Sequence, residues 1–295
     1  MSQRDTPASN DFAPSIGQCA ALATIIEATA PKPGNVHRGA DFEDSSYPDF
    51  VVAATVTAPI FEAAEKASLG QTVLAAIEAT RRAVGTNTNL GTTLLLAPLV
   101  KVPRSRPLAA GVVEVLGQLT PDDARNVYEA IRRAQPGGLG RADAADVHEQ
   151  PPDDLVAAMR LAAERDLVAR QYANDFQEVL QFVLPALARA LADGLTISAA
   201  VVHVHLQTMS EFPDSLIARR RGADVAHQSA GMAAAVLAAG RPGDDGYLEA
   251  LADLDFWLRC DGHQRNPGTT ADLLAAGLFA ALRDGIIKAP YRLAQ

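Results

Sequence analysis

The sequence predicts an all-α fold, a single compact multi-helix domain in which polar loops converge on one nucleotide or metal site. Apolar residues make up 48% of the 295 residues, but aromatic residues make up only 5%. Long alanine-rich stretches with few aromatic residues are typical of closely packed helices. Apolar residues recur at helical spacing, and loops rich in Pro, Gly, Asn and Thr separate the helical stretches.

Composition excludes several classes of function. The formal net charge is −9 and the isoelectric point is near 5.1, which argues against a broad nucleic-acid interface or a polybasic membrane surface. Cys19 and Cys260 are too few for a disulfide framework, and no apolar stretch reaches membrane-spanning length. We therefore expect a cytoplasmic protein with a disordered tail over 1–14 and one domain over 15–295. Its alanine-rich helical faces would permit a homodimer.

The first half of the chain reads as four helices. A helix over 15–30 stops at Pro31, and the loop 31–44 combines two prolines with charges of both signs. Helices are predicted over 47–68 and 71–84, and an apolar helix follows Leu90.

The second half is read in the same way. Thr120 is an N-cap, Pro121 occupies the first helical position, and this helix ends near Gln135. Further helices are predicted over 153–180, from 214 or 215, over 223–240 and over 273–282. The segment 195–209 contains the alternating run 201–205 with two histidines and stays open between helix and strand. This histidine pair is weak evidence for a metal, and a packing role is the favoured interpretation.

Asp166 is the main anomaly in the predicted helix 153–180. A projection at about 100° per residue places it in the middle of the apolar stripe, where a carboxylate is costly unless it is paired or bound to a metal. The alternatives are a functional carboxylate and a buried ion pair with Arg165 or Arg170.

The segment 85–93 combines glycines, amides and hydroxyls directly before an apolar helix. Such a segment is typical of a helix N-terminus, whose unpaired N–H groups and positive dipole end attract phosphate. An ordinary capped helix is the alternative. The segment 261–272 repeats the arrangement, and its Asp272 either joins the site or only favours the helix dipole.

Basic and acidic side chains accumulate in the same loops of an acidic protein. The basic ones are Lys32, His37, Arg38, Arg219 and Arg220, and the acidic ones are Asp41, Glu43, Asp44, Asp146, Asp166 and Asp272. This combination suits a polyphosphate with Mg²⁺, because carboxylates bind the hard cation while Lys, Arg and backbone N–H groups bind phosphate. There is no P-loop motif, and the ligand spacing of a zinc site is absent.

Six motifs in one colinear order resemble the triphosphoribosyl-dephospho-CoA synthase (CitG/MdcB) family, from about Ile16 to Leu282. They are Pro31-Lys32-Pro33-Gly34-Asn35-Val36, Asn87-Thr88-Asn89-Leu90-Gly91, Gly137-Gly138-Leu139-Gly140 with Asp146-Val147, Arg165-Asp166 with Gln171-Tyr172, Asp214-Ser215-Leu216-Ile217-Ala218-Arg219, and Asn266-Pro267-Gly268-Thr269-Thr270-Ala271-Asp272-Leu273. The resemblance implies an all-helical transferase that takes ATP and dephospho-CoA. An acceptor ribose hydroxyl displaces adenine from C1 of the ATP ribose, with Mg²⁺ on the triphosphate.

The resemblance also implies roles for residues. Asp166, Asp146 and Asp44 are the predicted catalytic carboxylates, and the predicted metal ligands are Asp41, Glu43, Asp44, Asp146 and Asp166. The predicted nucleotide-binding positions are Lys32, Gly34, Asn35, Arg38, Asn87, Thr88, Asn89, Gly91, Arg219, Asn266, Gly268, Thr269 and Thr270.

The central motif departs from the family pattern. The family motif reads Asn-Thr-His-Lys-Gly, whereas this chain has Asn89 and Leu90 at the third and fourth positions. The departure leaves a transferase acting on a ribosyl-phosphate or pterin substrate in methanopterin-type cofactor synthesis as a second hypothesis. An ADP-ribosylglycohydrolase-like hydrolase and a non-catalytic nucleotide-binding protein are the remaining alternatives.

Overall fold

The computed structural model describes residues 12–135, 149 and 151–293, and within them it confirms the all-α prediction. The α-helices in chain order are α1 (Ile16–Thr29), α2 (Tyr47–Glu62), α3 (Leu69–Val84), α4 (Leu90–Val100), α5 (Leu108–Gly117), α6 (Pro121–Ala134), α7 (Leu155–Ala162), α8 (Leu167–Ala173), α9 (Leu184–Ala192), α10 (Ile197–Glu211), α11 (Ser215–Arg221), α12 (Ala223–Ala238), α13 (Asp245–Arg259) and α14 (Gly268–Arg283). A 3₁₀ turn (Ala64–Lys66), a π-helical segment (Glu178–Val183) and one short extended segment, β1 (Cys260–His263), complete the described elements. The predicted tail over 1–14 lies mostly outside the described residues.

Local sequence signals account for several helix starts. Ser15 and Gln18 form a capping box at α1, in which each side chain bonds the other residue's backbone N–H. Thr120 and Asp123 form the same arrangement at α6, with Pro121 at its first position as predicted.

Two predicted helices are shorter or divided in the structure. The helix predicted over 47–68 ends at Glu62 and is followed by the 3₁₀ turn. The helix predicted over 153–180 is wrong as a single element, since α7, α8 and the π-helical segment replace it. Asp166 caps α8, and Asp175 and Phe176 adopt positive φ angles of 59° and 63°, which interrupt the helical path. Asp166 therefore does not lie on a continuous apolar stripe.

Helix α14 lies at the centre of the core. Every residue from Leu273 to Leu282 is buried, and the helix packs against α1, α4, α8, α9, α10 and α11. Gly277 allows close approach, because a Cβ there would lie 2.4 Å from a methyl group of Val183. The helix begins at Gly268, five residues before the predicted start, so Thr269, Thr270 and Ala271 belong to its first turn and Asp272 follows it.

The segment 195–209, for which both helix and strand were possible from the sequence, is helical and contributes α10. Its two histidines face different surroundings, since His203 contacts Tyr247 while His205 is fully buried. Among the described residues, no helix is both long and apolar enough to cross a membrane.

A candidate nucleotide-binding site at the helix starts

One large cavity of about 570 Å³ opens where the polar loops meet. The start of α4, the start of α14, α11 and the loop after α1 form its polar end. Apolar side chains from α6, α7 and α8 form an apolar wall of the cavity, including Ile131, Ala134, Met159 and Ala162. Its volume lies in the range of cavities that bind small molecules and cofactors.

The cavity gathers a large share of the predicted site residues. Those lining it are Asn35, Asp44, Asn87, Thr88, Asn89, Gly91, Asp166, Arg219, Asn266, Gly268 and Thr269. Residues that are far apart in sequence thus converge at one place, as the all-helical arrangement with converging loops predicts.

Two residues of α13 hold the loop after α1 in place. Gly34 has a φ of 73°, and its N–H donates to the Asp255 carboxylate at 2.7 Å. Arg259 binds both Asp255 and the Asn35 carbonyl, at 2.8 and 2.5 Å. The Asn35 amide then donates to Asn266 at 2.6 Å, which joins this loop to the start of α14. Gly34 itself is buried behind the cavity wall and supports the loop rather than lining the cavity.

Lys32 does not reach the cavity, which contradicts its predicted role in holding phosphate. Its side chain is fully buried, pairs with the Glu27 carboxylate at 3.0 Å and donates to the carbonyls of Glu27 and Ala30. Burial lowers the pKa of Lys32 and raises the pKa of Glu27, while each opposes the shift of the other. Glu27 in turn lines the cavity. The lysine is thus the counter-ion of a carboxylate at the site.

His205 lies close enough to Lys32 for the lysine charge to act on it. Burial lowers its pKa to about 3, and the charge of Lys32 adds to the shift. Neither ring nitrogen has a hydrogen-bond partner among the described residues. His205 is therefore a neutral imidazole in the core, in line with the packing role favoured for it.

The central motif enters α4 through a tight loop, as predicted. Gly85 ends α3 in the left-handed region at a φ of 84°, and the Asn87 side chain accepts the N–H of Leu90 at 3.1 Å. Asn89 donates to Thr80 at 3.0 Å, but its side-chain oxygen has no described partner. The Thr88 hydroxyl also lacks one. A bound ligand would be the natural partner for these groups, since buried polar atoms are normally hydrogen-bonded.

Asp272 occupies the start of α4 from the side of α14. Its carboxylate accepts the Thr92 hydroxyl at 2.6 Å, and the Thr92 N–H also bonds it. Gly91 makes this approach possible, because a Cβ at that position would lie 2.0 Å from the nearer Asp272 oxygen. Burial raises the pKa of Asp272 to about 7, and the negative charges of Glu27 and Asp214 add to the shift.

A second carboxylate, that of Asp214, bonds the first turn of α14. Asp214 is fully buried, and one of its oxygens accepts the N–H and the hydroxyl of Thr270 at 2.7 and 2.8 Å. Its other oxygen caps α11. Thr270 is thus a structural residue outside the cavity, which contradicts its predicted binding role. Thr269 does line the cavity, with its hydroxyl bonded to Ser215 at 3.1 Å.

Asp166 is the N-cap of α8 and is paired with an arginine. One oxygen accepts the N–H groups of Val168 and Ala169, and the other accepts from Arg219 at 2.5 Å. The sequence allowed either a functional carboxylate or an ion pair at Asp166. The ion pair is present, but the partner is Arg219 and not Arg165 or Arg170. The Arg219 Nε lies buried without a described partner. The pair lines the cavity and can present guanidinium N–H groups to an anion.

Other charged groups line the cavity. Arg220 donates to the His263 carbonyl at 2.9 Å, and the His263 ring lies 3.4 Å from Asp44. Arg81 and Arg165 also face the cavity, and neither makes an ion pair within the part of the chain that the structure describes.

The remaining predicted residues lie elsewhere. Arg38, Asp41 and Glu43 are exposed and do not line the cavity, and Asp41 instead accepts the N–H of Tyr47 at 2.7 Å. Asp146 and the glycine-rich loop 137–140 lie outside the described residues. Within residues 12–135 and 151–293, no three acidic, histidine or cysteine side chains are grouped as metal ligands. The predicted metal cluster is therefore not assembled from the described members of the set.

Sequence reasoning missed several cavity residues. Glu27 lies at the end of an apolar helix and carries no motif, and Arg81 and Arg165 stand among ordinary surface charges. Asp272 was visible as an acid in the first turn after a glycine- and threonine-rich loop, but the pattern did not separate a dipole partner from a site residue. The apolar wall is indistinguishable from core in sequence.

Comparisons with known proteins agree with these features. The CitG family model, described as ATP:dephospho-CoA triphosphoribosyl transferase, matches residues 13–290. The crystal structure of a protein provisionally named triphosphoribosyl-dephospho-CoA synthase, from Archaeoglobus fulgidus, is similar with a TM-score of 0.63 at 27% identity. That similarity covers 80% of this chain and 99% of the other. No curated protein matches. The six colinear motifs, the helical fold and the family match over most of the sequence agree: the chain belongs to the CitG family of ATP:dephospho-CoA triphosphoribosyl transferases.

Proposed function

We propose that this protein transfers the triphosphoribosyl group of ATP to dephospho-CoA. In this reaction the bond between C1 of the ATP ribose and adenine breaks, and a bond from C1 to an acceptor hydroxyl oxygen forms. The hydroxyl proton ends on adenine, so the products are triphosphoribosyl-dephospho-CoA and adenine. The observation that carries the proposal is the cavity where five of the six family motifs meet, since it joins a polar end to an apolar wall.

The polar end suits the ATP triphosphate and ribose. Arg219 and Arg220 supply guanidinium groups, and the side-chain oxygens of Asn35 and Asn89 are buried acceptors without a described partner. Guanidinium groups pair with phosphate oxygens in a planar, often bidentate geometry, and amide oxygens accept from ribose hydroxyls. The first turns of α4 and α14 are already bonded to Asp272 and Asp214. We therefore propose the two arginines, and not the helix starts, as the main phosphate ligands.

The apolar wall suits the acceptor. Met159, Ala162 and Ile131 offer a surface for the pantetheine arm of dephospho-CoA. Arg81 and Arg165 also line the cavity and have no ion-pair partners among the described residues, so they are available for the acceptor's diphosphate. Leu90 also lines the cavity where the family motif has lysine, so this part of the cavity offers apolar contact in place of a charge.

Mg²⁺ enters this proposal as part of the substrate MgATP. Mg²⁺ keeps several waters and commonly binds through one or two carboxylates together with substrate phosphates. The described residues hold no three-ligand cluster, but Asp44 lines the cavity with a carboxylate near Arg220 and His263. Asp44 is the residue we propose to hold the Mg²⁺ ion of MgATP. When bound, the ion would supply charge neutralisation on the triphosphate.

The experiment measures free adenine by chromatography. Purified protein is incubated with ATP and Mg²⁺ alone, with dephospho-CoA, and with CoA, whose additional phosphate makes it a matched control acceptor. Adenine that appears with dephospho-CoA, together with a product heavier by a triphosphoribosyl group, is the expected result. Adenine release with water as the only acceptor would favour the hydrolase hypothesis. No adenine with any of the three mixtures would overturn the proposed function.

A further inference from the structure

Two carboxyl groups that line the cavity belong to neither the predicted catalytic set nor the predicted metal set. We propose that Asp272 and Glu27 are the acid–base pair of the transfer reaction, in which Asp272 protonates the departing adenine and Glu27 accepts the proton of the acceptor hydroxyl. This assignment rests on the proposed function and names the residues that would carry out its proton transfers.

The geometry around Asp272 holds the carboxyl group in one place. Thr92 binds one oxygen through its hydroxyl at 2.6 Å, and Gly91 leaves just enough space for the other. The residue also lies directly after the first turn of α14, next to the buried run from Leu273 to Leu282. A group fixed by two helices and facing a cavity is pre-organised for proton transfer.

Glu27 is fixed in a different way. It lies in the last turn of α1, with its carboxylate 3.0 Å from the Lys32 ammonium. The ammonium is further held by the backbone carbonyls of Glu27 and Ala30, so it cannot swing away toward a ligand. Lys32 favours the ionised form of Glu27, which is the form that accepts a proton.

Burial raises the pKa of both carboxyl groups, but Glu27 has the Lys32 ammonium beside it, which favours its ionised form. Among the described residues no cation pairs with Asp272, which faces the negative charges of Glu27 from α1 and Asp214 from the start of α11, and the Thr92 hydroxyl from α4. These charges and burial raise its pKa to about 7, so it carries a proton for much of the time at neutral pH. A carboxyl group that retains its proton, in the same cavity as one paired with an ammonium, is an arrangement that suits an acid and a base.

Ligand-directed atoms lie in the same cavity. Asn35 and Asn89 are 5% and 6% exposed, and each has a side-chain oxygen without a partner among the described residues. Both residues line the cavity together with Glu27 and Asp272. Such oxygens would accept hydrogen bonds from the ribose hydroxyls and place C1 of the ribose between the two carboxyl groups.

The proton balance closes over one turnover. As the bond from C1 to adenine breaks, its electron pair goes to the purine, which takes the proton of Asp272. As the acceptor oxygen bonds to C1, its proton goes to the Glu27 carboxylate. The starting state returns when this proton passes from Glu27 to Asp272 within the cavity, and no further reactant is required.

The test compares Asp272→Asn and Glu27→Gln with the wild-type chain in the adenine assay between pH 5 and 9. We expect each variant to lower kcat by about 10²- to 10⁴-fold and to keep the Kd for ATP, measured by calorimetry, within a few-fold. Asp272→Asn should also remove the fall in activity above pH 7, because the acid no longer titrates. Glu27→Gln should remove the fall at low pH.

Two further variants control for structural effects. Asp123→Asn removes a buried carboxyl that bonds Gly70 and Thr120 away from the cavity, and it should keep the wild-type pH profile. Should Glu27→Gln misfold because Lys32 loses its counter-ion, the double change with Lys32→Met restores a neutral pair and should show the same loss of the low-pH limb.

The outcomes separate the two proposals. Wild-type protein that releases no adenine overturns the proposed function, and the pair with it. Wild-type activity with a fully active Asp272→Asn variant, or with an unchanged pH profile, overturns only the pair. The same low kcat and the same wild-type profile in all three single variants would show that the carboxyls act through stability alone.

Discussion

Replacing Asp272 with asparagine should make the protein more stable at pH 8 than the wild type. The wild-type carboxyl is buried and has no cation beside it among the described residues, so its ionised form destabilises the folded state. Asparagine has the same shape, can still accept the Thr92 hydroxyl and carries no charge. A gain in stability combined with a loss of activity is the behaviour of a functional site whose strain is retained for chemistry.

The magnitude follows from the pKa of Asp272. Burial raises it from 3.8 to about 7, a change of about three units. At about 1.4 kcal/mol per unit, the ionised carboxyl lowers the free energy of unfolding by at most about 4 kcal/mol. Water in the cavity reduces this cost, so we expect about 2 to 4 kcal/mol. The wild type loses this stability between about pH 4 and 7, because the folded state retains a proton that the unfolded state has released.

The assay is urea denaturation of both proteins at pH 4, 6 and 8. The difference in unfolding free energy between variant and wild type should grow with pH up to about 7 and then level off. Effects of the amide on packing or hydrogen bonding are the same at each pH and do not alter this slope. A difference that stays constant from pH 4 to 8, or that falls as pH rises, would refute the assignment of a raised pKa to Asp272.

Three more predictions concern its neighbours. Gly91→Ala should displace the Asp272 carboxyl, since the new Cβ would lie 2.0 Å from its oxygen, and kcat should fall at least about tenfold; unchanged kinetics would show that the close approach is unimportant. Lys32→Met should cost about 3 kcal/mol at pH 8 and less at pH 5, where Glu27 can take a proton, as measured by denaturation; an equal cost at both pH values would contradict the buried pair. Arg219→Ala should raise the Kd for ATP about 10- to 100-fold in calorimetry, and unaltered binding would remove Arg219 from the phosphate site.

Much of the site could be predicted because its motifs are loops with special backbone needs. Gly85 and Gly34 adopt positive φ angles, and Asn87 caps the entry to α4. Such residues leave a local signature of glycines and amides before an apolar run. The same reasoning correctly predicted that Asn35 and Asn89 line the cavity. The side-chain oxygen of each has no partner among the described residues.

The errors arose where a side chain's role depends on a distant partner. Lys32 stands in a loop of charges, yet it turns into the core to meet Glu27. Asp166 stands at a helix start that the uninterrupted apolar spacing concealed, and its partner Arg219 lies 53 residues away. Sequence spacing describes a residue's neighbours on one helix, but ion pairs between helices depend on how those helices pack.

At the starts of α4 and α14, the local sequence pattern predicts a bound anion but not its identity. A positive helix end attracts an anion, but the pattern does not say which anion is present. Here Asp272 bonds the first turn of α4 and Asp214 bonds the first turn of α14, so the chain supplies both anions itself. The hydrogen bonds from Thr92 favour an ionised Asp272, while burial and the nearby carboxylates oppose it and prevail. The helix start therefore fixes the position of the carboxyl group, and the surrounding charges set its protonation. In this cavity, helix starts that resemble a phosphate site are instead bonded to carboxyl groups of the chain itself.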